Sequence, residues 1–243
     1  MGGRRHIGTN VALAQDALRR ADAVCFDFDS TVITEEGIDE LAEFCGAGEA
    51  VAAFTKQAME GDLPFQRALA ARLELIQPSR DAVTKCLEQR PPTLSPHVGH
   101  LFEALRARGA TVHIVSGGFR AMIEPVALDA LGVQATEIFA NTIIWRGDGE
   151  YAGFDATEPT ASEGGKPKVV EFLKKTRGYD TVVMIGDGAT DLQAKPPADA
   201  FIGYGGVAQR DIVLENADWF ITDFGDLVAF LENDQIPPGA AAE

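Results

Sequence analysis

The sequence predicts an α/β fold with a doubly wound parallel-sheet (Rossmann-like) core and a helical cap inserted after the first strand. Three observations support this prediction. Short, continuous apolar runs such as Ala23–Phe26 alternate with helical patterns, as is typical of strands buried on both faces of a parallel sheet. Three of these runs end directly in polar clusters, at Asp27, Ser116 and Gly186. Between the first two runs lie too many residues for a single crossover connection.

The individual elements follow from local patterns along the chain. An amphipathic helix is predicted over 11–20, about four helical patterns fill 37–90, and another helix is predicted over 97–108. Alternating apolar and polar residues over 136–155 predict a hairpin whose turn lies at 146–150. The predicted strands share a short apolar run rich in β-branched or aromatic residues: 23–26, 111–115, 181–185, 200–202 and 219–221.

These elements divide the chain into two units. Residues 10–34 and 93–232 are assigned to the discontinuous core, and residues 35–92 to the helical cap. Residues 233–243, which include Pro237 and Pro238, are predicted to form a disordered tail. Because ligands of open parallel sheets bind at the carboxyl ends of the strands, the three polar clusters are expected to meet at one place.

Composition limits the classes of function. The 243 residues are 46% hydrophobic, enough for a sizeable core. The net charge of −16, from 21 Lys and Arg against 37 Asp and Glu, argues against a surface for nucleic acid or an anionic membrane. A site for a phosphorylated substrate must therefore be locally basic.

Several features bear on the compartment. Three cysteines without a CxxC pair indicate small buried side chains in a reducing environment. No apolar run approaches the roughly 20 residues that span a bilayer. The N-terminus lacks the apolar region of a secretory signal. We therefore predict a cytoplasmic location, or an organellar one if a transit peptide has been removed.

Two pairs of acidic residues follow apolar strands. Asp27 and Asp29 come directly after the first strand, and Asp187 and Asp191 lie in the Gly-Asp-Gly-Ala-Thr-Asp segment after another. Each pair alone also fits a solvated turn. Together, however, neighbouring carboxylates repel each other unless a cation lies between them. Oxygen ligands suit Mg²⁺, so the pattern predicts a magnesium site for phosphate chemistry.

Two further segments could bind an anion. In Ser116-Gly117-Gly118, glycines would allow the backbone to approach phosphate oxygens closely, although an ordinary strand-to-helix turn has the same composition. Lys166 lies at the predicted start of a helix, where it could neutralise a phosphoryl oxygen or a carboxylate. Lys168, two residues later, represents the alternative of a plain surface lysine.

An arginine interrupts an apolar helical stripe in the cap. Arg72 falls at helical spacing from Phe65, Leu69 and Ile76. A guanidinium on such a face needs an anionic partner, which could be a substrate group. An internal salt bridge or a side chain reaching to solvent would explain the same pattern, and the residues alone leave these alternatives open.

In this order, Asp27-Phe-Asp-Ser-Thr, Ser116-Gly-Gly, Lys166 and Gly186-Asp-Gly-Ala-Thr-Asp resemble the four motifs of the haloacid-dehalogenase-like hydrolases. Further segments, among them the one that begins at Leu75 (Leu-Ile-Gln-Pro-Ser-Arg), resemble the members of that family that hydrolyse O-phosphoserine. The resemblance extends from about residue 20 to residue 232. It implies a Rossmann-like fold, a magnesium-dependent phosphatase, a homodimer and a role in serine biosynthesis.

The resemblance also implies a role for particular residues. Asp27 would be the nucleophile that forms an aspartyl-phosphate, Asp29 the acid and base, and Lys166 the neutralising cation. The Asp27 carboxylate, the Asp29 main-chain carbonyl and Asp187 would bind Mg²⁺, while Asp191 would orient its neighbours. The residues that would contact the substrate are Glu36 at the ammonium group, Arg72 at the carboxylate, Met59 and Phe65 beside it, and Ser116, Gly117, Gly118, Lys166 and Thr190 at the phosphoryl oxygens.

Two positions depart from the pattern that the resemblance leads us to expect. Glu60 stands where close relatives would have glycine, and Lys195 is unusual before Pro196. A related phosphatase with another small substrate such as phosphothreonine, or a phosphotransferase, remains an alternative. So does a phospho-aspartate switch module, which has no need of Asp29 as a proton donor or of a cap with Arg72.

Overall fold

The computed structural model describes residues 7–59 and 65–233, and a parallel sheet of six strands forms the centre of that part of the chain. The described residues form eight strands in all: β1 (Ala23–Phe26), β2 (Thr111–Phe119), β3 (Ile138–Asn141), β4 (Ile143–Trp145), β5 (Tyr151–Phe154), β6 (Val182–Gly186), β7 (Ala200–Tyr204) and β8 (Trp219–Ile221). In the sheet their order is β3-β2-β1-β6-β7-β8, and β4 and β5 form a separate antiparallel pair. The predicted α/β parallel-sheet fold is therefore confirmed.

Helices cover both faces of this sheet. The α-helices of the described residues are α1 (Val11–Arg19), α2 (Gly37–Phe44), α3 (Gly48–Met59), α4 (Phe65–Ile76), α5 (Arg80–Gln89), α6 (Val98–Ala107), α7 (Arg120–Leu131), α8 (Gly165–Arg177), α9 (Ala189–Leu192), α10 (Asp211–Asn216) and α11 (Gly225–Asn233). No helix in the described ranges is both long and apolar enough to cross a membrane.

The apolar run of β1 is continuous because the strand contributes to two cores. Val24 and Phe26 pack in the cluster on one face of the sheet, together with side chains of α1, α6, α7 and α11. Ala23 and Cys25 pack in the cluster on the other face, with residues of α8. A strand buried on both faces has no position for a polar side chain until it ends, and Asp27 is the first residue beyond that end.

Strand order places the acidic motifs side by side. From β1 the chain moves outward through β2 to β3, and later crosses to β6 on the other side of β1 before moving outward again. Phe26 of β1 pairs in register with Ile185 of β6, so the residues that follow the two strands are neighbours. This reversal of strand order is the place where open α/β sheets bind ligands.

Four helices, α2 to α5, lie between β1 and β2. Leu41 of α2, Leu69 and Leu73 of α4, and Val83 of α5 form a third apolar cluster. The assignment of 35–92 to a separate cap stays a prediction. Residues 60–64, including Glu60, and the tail from 234 onward lie outside the described residues, so neither prediction made for them is tested.

Two sequence predictions need correction. The hairpin predicted over 136–155 is shorter, because Ile138–Asn141 forms the edge strand of the main sheet and only 143–154 forms the antiparallel pair. β2 does not end at Val115 but continues to Phe119, with a register shift between these two residues. Ser116-Gly117-Gly118 therefore lies within an irregular strand end and not in a separate turn.

Candidate active site

A cavity of about 540 Å³ opens at the carboxyl ends of β1, β2 and β6, beneath α4. It is lined by residues of the sheet, of α2 and α4, and of the segment that leads into α8. The predicted site residues that line it are Asp27, Asp29, Glu36, Phe65, Arg72, Ser116, Gly117, Gly118, Lys166, Asp187 and Thr190. The expectation that the polar clusters meet at one place is confirmed.

The floor of the cavity is a cluster of buried charges. Lys166 Nζ lies 2.8 Å from Asp27 Oδ2 and 2.5 Å from Asp191 Oδ1. One carboxylate oxygen each of Asp27, Asp187 and Asp191 lies within 4.8 Å of the others. We call Asp27, Lys166, Asp187 and Asp191 the carboxylate floor. The Lys168 side chain, in contrast, is exposed, and its Nζ donates to Ser162 Oγ at 3.3 Å.

Burial and the mutual effect of the charges together set the pKa values in this floor. Burial alone would lower the pKa of Lys166, but the charges of Asp191 and Asp27 outweigh it and hold that pKa above its usual range. Burial and the Asp27 charge raise the pKa of Asp187 to about 6. The same two causes raise the pKa of Asp191, against the opposing charge of Lys166. The floor thus contains more negative charge than one lysine balances.

The Asp29 carboxyl group occupies a tight position beside this floor. Its Oδ1 accepts the Gly37 N–H at 2.8 Å. A Cβ atom at Gly118 would lie 2.6 Å from Oδ2, so a larger residue there would collide with the carboxyl group. Burial first, and then the charge of Asp27, raise the pKa of Asp29 to about 7. A carboxyl group with this pKa can both donate and accept a proton near neutral pH.

Two buried side chains hold the Ser116-Gly117-Gly118 segment. Ser116 Oγ accepts the Gly118 N–H at 2.9 Å, so in this conformation that N–H group is engaged within the segment. Asn141 Nδ2 donates to the Gly117 carbonyl at 2.7 Å, and Asn141 Oδ1 accepts from the Thr160 hydroxyl at 2.8 Å. The segment that precedes α8 and the end of β2 are therefore tied together through Asn141.

The residues fit a divalent cation. Asp187 Oδ2 is buried and accepts no well-aligned hydrogen bond from the described residues, although Arg210 Nη2 lies 2.8 Å away. Thr31 donates to the other oxygen of Asp187 at 3.2 Å. A buried carboxylate oxygen without a hydrogen bond, beside the Asp27 carboxylate, is the donor set that a hard cation prefers.

Another part of the cavity lining carries charges of a different kind. We call Glu36, Phe65 and Arg72 the cap face. Arg72 forms no ion pair with any described residue, and its Nε makes only a long contact of 3.4 Å with the Ala68 carbonyl. Burial lowers its pKa, while the charges of Asp39 and Glu36 oppose that shift. Met59 ends α3, but its side chain lies outside what the structure describes.

Glu36 is exposed, and one oxygen of its carboxylate contacts both Ser30 and Arg210. Ser30 Oγ donates to Glu36 Oε1 at 2.7 Å, and Arg210 Nη2 lies 3.5 Å from the same oxygen. Phe65 lies close to the phosphate segment, because a Cβ atom at Gly117 would lie 3.1 Å from its ring. The cap face therefore closes over the end of β2.

Sequence reasoning missed two residues of this site. Arg210 bridges Asp187 and Glu36 from the loop before α10, and no motif marks it among the surface arginines. Asn141 falls within the predicted hairpin and has no signal of its own in the sequence, although a buried asparagine between polar segments needs partners.

Lys195, unusual before Pro196, has a structural explanation. Its Nζ lies 2.5 Å from Asp218 Oδ1, and Asp218 Oδ2 accepts the Phe201 N–H. Lys195 therefore neutralises a buried carboxylate at the far side of the sheet and takes no part in the site.

Sequence comparison agrees with this geometry. Residues 21–196 match the model of the haloacid dehalogenase-like hydrolases. The phosphoserine phosphatase of Bos taurus is 54% identical over 212 residues, which are 87% of this chain and 94% of the bovine protein. The family-model match includes the cavity residues from Asp27 to Gln193 and ends before Arg210.

Two solved structures are similar in fold. A substrate-bound phosphoserine phosphatase complex has a TM-score of 0.73 at 30% identity, covering 86% of this chain and 98% of its own. The longer DsGPDH chain of Dunaliella salina has a TM-score of 0.80 at 34% identity, covering 92% of this chain but 38% of its own. The chain described here therefore belongs to the haloacid dehalogenase-like hydrolases, in the branch of that family formed by the phosphoserine phosphatases.

Proposed function

We propose that this chain hydrolyses O-phosphoserine to serine and phosphate through an aspartyl-phosphate on Asp27, the last step of a phosphorylated route to serine. One observation carries the proposal: the Asp27 carboxylate, paired with Lys166 at 2.8 Å, lies in the same cavity as Arg72 and Glu36. The first two residues supply a nucleophile for a phosphoryl group. The other two match the charges of an α-amino acid.

In the first half of the reaction, Asp27 attacks phosphorus and a new P–O bond forms. The bond between phosphorus and the serine oxygen breaks, and Asp29 donates its proton to that leaving oxygen. Lys166 reduces the repulsion between the attacking carboxylate and the phosphate dianion, which otherwise makes a carboxylate a poor nucleophile. The pKa of Asp29, raised to about 7, keeps a large fraction of it protonated near neutral pH.

In the second half, water attacks the phosphorus of the aspartyl-phosphate. Asp29, now ionised, accepts a proton from that water, and the bond between phosphorus and Asp27 breaks. Phosphate leaves and the Asp27 carboxylate is restored. Ser116, the backbone of Gly117 and Gly118, and Thr190 would hold the phosphoryl oxygens throughout.

The Asp27 and Asp187 carboxylates and the Asp29 main-chain carbonyl would hold a Mg²⁺ ion, with Asp191 orienting Lys166 and the Gly188 N–H. When bound, Mg²⁺ would supply positive charge beside the transferred phosphoryl group. Two features support this assignment: the buried Asp187 Oδ2, which accepts no well-aligned hydrogen bond from the described residues, and the excess negative charge of the carboxylate floor.

The cap face would bind the amino-acid part of the substrate. Arg72 has no carboxylate partner among the described residues, so its guanidinium is available for the carboxylate of the substrate. Glu36 would meet the ammonium group, and Phe65 would form the apolar wall beside it. Met59 as a substrate contact, a homodimeric assembly and a cytoplasmic or organellar location stay predictions.

The test is phosphate release in the presence of Mg²⁺ from O-phosphoserine, phosphoglycolate and p-nitrophenyl phosphate. We expect kcat/KM for O-phosphoserine to exceed that for the other two esters by at least about 100-fold, because only this ester can use both Arg72 and Glu36. Equal cleavage of all three would overturn the serine assignment but keep the phosphatase. A long-lived phosphoprotein without turnover would favour the switch module.

A further inference from the structure

The hairpin of β4 and β5 touches α4 and α5 at its tip and the phosphate-holding segments at its base. We propose that Trp145, on this hairpin, is a positioning residue that sets the place of Arg72 relative to the phosphate site. The hairpin thereby contributes to substrate choice, an inference that rests on the proposed function. Neither the motifs nor the residues assigned above include Trp145.

At the tip, three contacts hold the turn between α4 and α5. Trp145 Nε1 donates to the carbonyl of the buried Pro78 at 2.9 Å. The Arg80 N–H donates to the Gly149 carbonyl, also at 2.9 Å. The Arg80 guanidinium lies over the Trp145 ring, 5.0 Å from its centroid. Because α4 ends at Ile76, these contacts fix the end of the helix that carries Arg72.

Along its length, the hairpin supports the buried face of α4. Ile143 of β4 and Tyr151 of β5 are buried in the same apolar cluster as Leu69 and Leu73. Arg72 lies between these two leucines in sequence, so any rotation of α4 that moves Arg72 would disturb their packing. Leu69 also lines the cavity, which connects the hairpin contacts directly to the substrate site.

At its base, the hairpin joins the two segments that handle phosphate. The strand before it ends at Asn141, which holds the Gly117 carbonyl at 2.7 Å. After the hairpin, the chain continues to Thr160, whose hydroxyl donates to Asn141 Oδ1. It then reaches Lys166 at the start of α8. The legs are joined to each other by the Asp155 N–H, which donates to the Thr142 carbonyl.

Contacts through the hairpin therefore connect Arg72 to the phosphate site, in addition to the chain segments near residues 35 and 92 that join the predicted cap to the core. An amino-acid phosphate must reach both ends of this arrangement at once. A change of about 1 Å in the distance between Arg72 and the phosphate site would weaken binding of the substrate carboxylate and leave the phosphoryl group in place. Binding of a substrate without a carboxylate would not be affected by this change.

The experiment compares Trp145→Phe and Trp145→Ala with the wild type on O-phosphoserine and p-nitrophenyl phosphate. Trp145→Phe keeps a ring and removes the N–H donor, whereas Trp145→Ala removes both. We expect KM for O-phosphoserine to rise about threefold in the first and about tenfold in the second, with kcat/KM for p-nitrophenyl phosphate within about twofold of the wild type. Trp219→Phe, the same exchange in the buried core, is the matched control and should leave the ratio of the two substrates unchanged.

Hydrogen exchange provides a readout that does not depend on turnover. In Trp145→Ala the amides of α4 should exchange faster, while those of β1 and β6 keep their protection. Equal losses on both esters, or an unchanged KM for O-phosphoserine with unchanged exchange in α4, would overturn the proposal. If the wild type itself does not prefer O-phosphoserine, the proposed function fails, and exchange in α4 still tests the contact between hairpin and helix.

Discussion

The carboxylate floor and the cap face line the same cavity but are built on opposite principles. In the floor, Lys166 and Asp191 are buried, and Lys166 Nζ lies 2.5 Å from Asp191 Oδ1; the two residues belong to α8 and α9, the helices before and after β6. In the cap face, Glu36 is exposed and Arg72 has no carboxylate partner among the described residues. The floor charges, which are paired with each other, organise the chemistry. In the cap face, Arg72 is available to recognise a ligand, and Glu36 presents an exposed carboxylate beside Ser30 and Arg210.

This difference has an energetic origin. Removing one partner of a buried ion pair leaves the other charge uncompensated, which costs about 3–5 kcal/mol. A charge at the cavity wall is still partly hydrated, so its removal has little effect on folding. The floor should therefore respond to substitution in both activity and stability, and the cap face in substrate preference alone.

The largest effect is expected for Asp27→Asn. Without a carboxylate nucleophile no aspartyl-phosphate can form, so kcat should fall by roughly 10⁴-fold or more on every ester. Acid quenching during turnover with ³²P-labelled O-phosphoserine should trap labelled wild-type protein and no labelled variant. Asp16→Asn, on the exposed surface of α1, is the control for the same chemical change. Labelling of the Asp27→Asn protein would show that another residue is the nucleophile.

Lys166→Ala should reduce both activity and stability. We expect kcat/KM to fall by roughly 10²–10³-fold, because the attacking carboxylate and the phosphate would repel each other without this cation. The free energy of unfolding of the metal-free protein should fall by about 3–5 kcal/mol, as measured by urea denaturation. Lys168→Ala, two residues away and exposed, should leave kcat/KM close to that of the wild type and change the free energy of unfolding by no more than about 0.5 kcal/mol. Similar behaviour of the two variants would mean that the floor is not organised by Lys166.

Arg72→Ala tests the cap face. Its KM for O-phosphoserine should rise about 10–100-fold, since the charge-assisted contact with the substrate carboxylate is lost. Turnover of p-nitrophenyl phosphate and the melting temperature should stay close to those of the wild type. Arg67→Ala, on the exposed side of the same helix, is the matched control. An equal loss on both esters would place Arg72 in the chemistry and remove the contrast between the two regions.

The smallest effect, taken per pH unit, concerns the dependence of stability on pH. Burial raises the pKa of Asp29 from 3.8 to about 7, so between these values the unfolded chain ionises this group while the folded protein keeps it protonated. This contribution to stability therefore declines as pH rises from about 4 to about 7, by at most about 1.4 kcal/mol per unit. Urea denaturation in EDTA should show a steeper decline with pH for the wild type than for Asp29→Asn.

His113 acts in the opposite direction over part of this range. Its burial lowers its pKa from 6.5 to about 4, so stability gained from this residue rises with pH between those values. His113 is present in both the wild type and Asp29→Asn, and its contribution cancels in their difference. A difference that is constant from pH 4 to pH 7 would contradict the raised pKa of Asp29.

Local patterns were sufficient for most of the fold. Continuous apolar runs identify β1, β6, β7 and β8 because a strand buried on both faces excludes polar residues along its whole length. The hairpin pattern was assigned too broadly, since alternation does not distinguish β3, which pairs with the main sheet, from β4 and β5. Pairing partners are decided by residues distant in sequence.

The sequence by itself determined which residues could do the chemistry, because the acids and glycines directly after three apolar strands and the lysine at a helix start together match one set of family motifs. The eleven predicted residues that line the cavity were all identifiable in this way or through the family resemblance. Only the tertiary structure decided how their charges are distributed, since burial and distance arise from packing. Only the tertiary structure places Arg210 between Asp187 and Glu36, Asn141 against Gly117, and Trp145 against the turn that follows α4. These contacts join residues more than twenty positions apart, so they leave no periodic signal in the sequence.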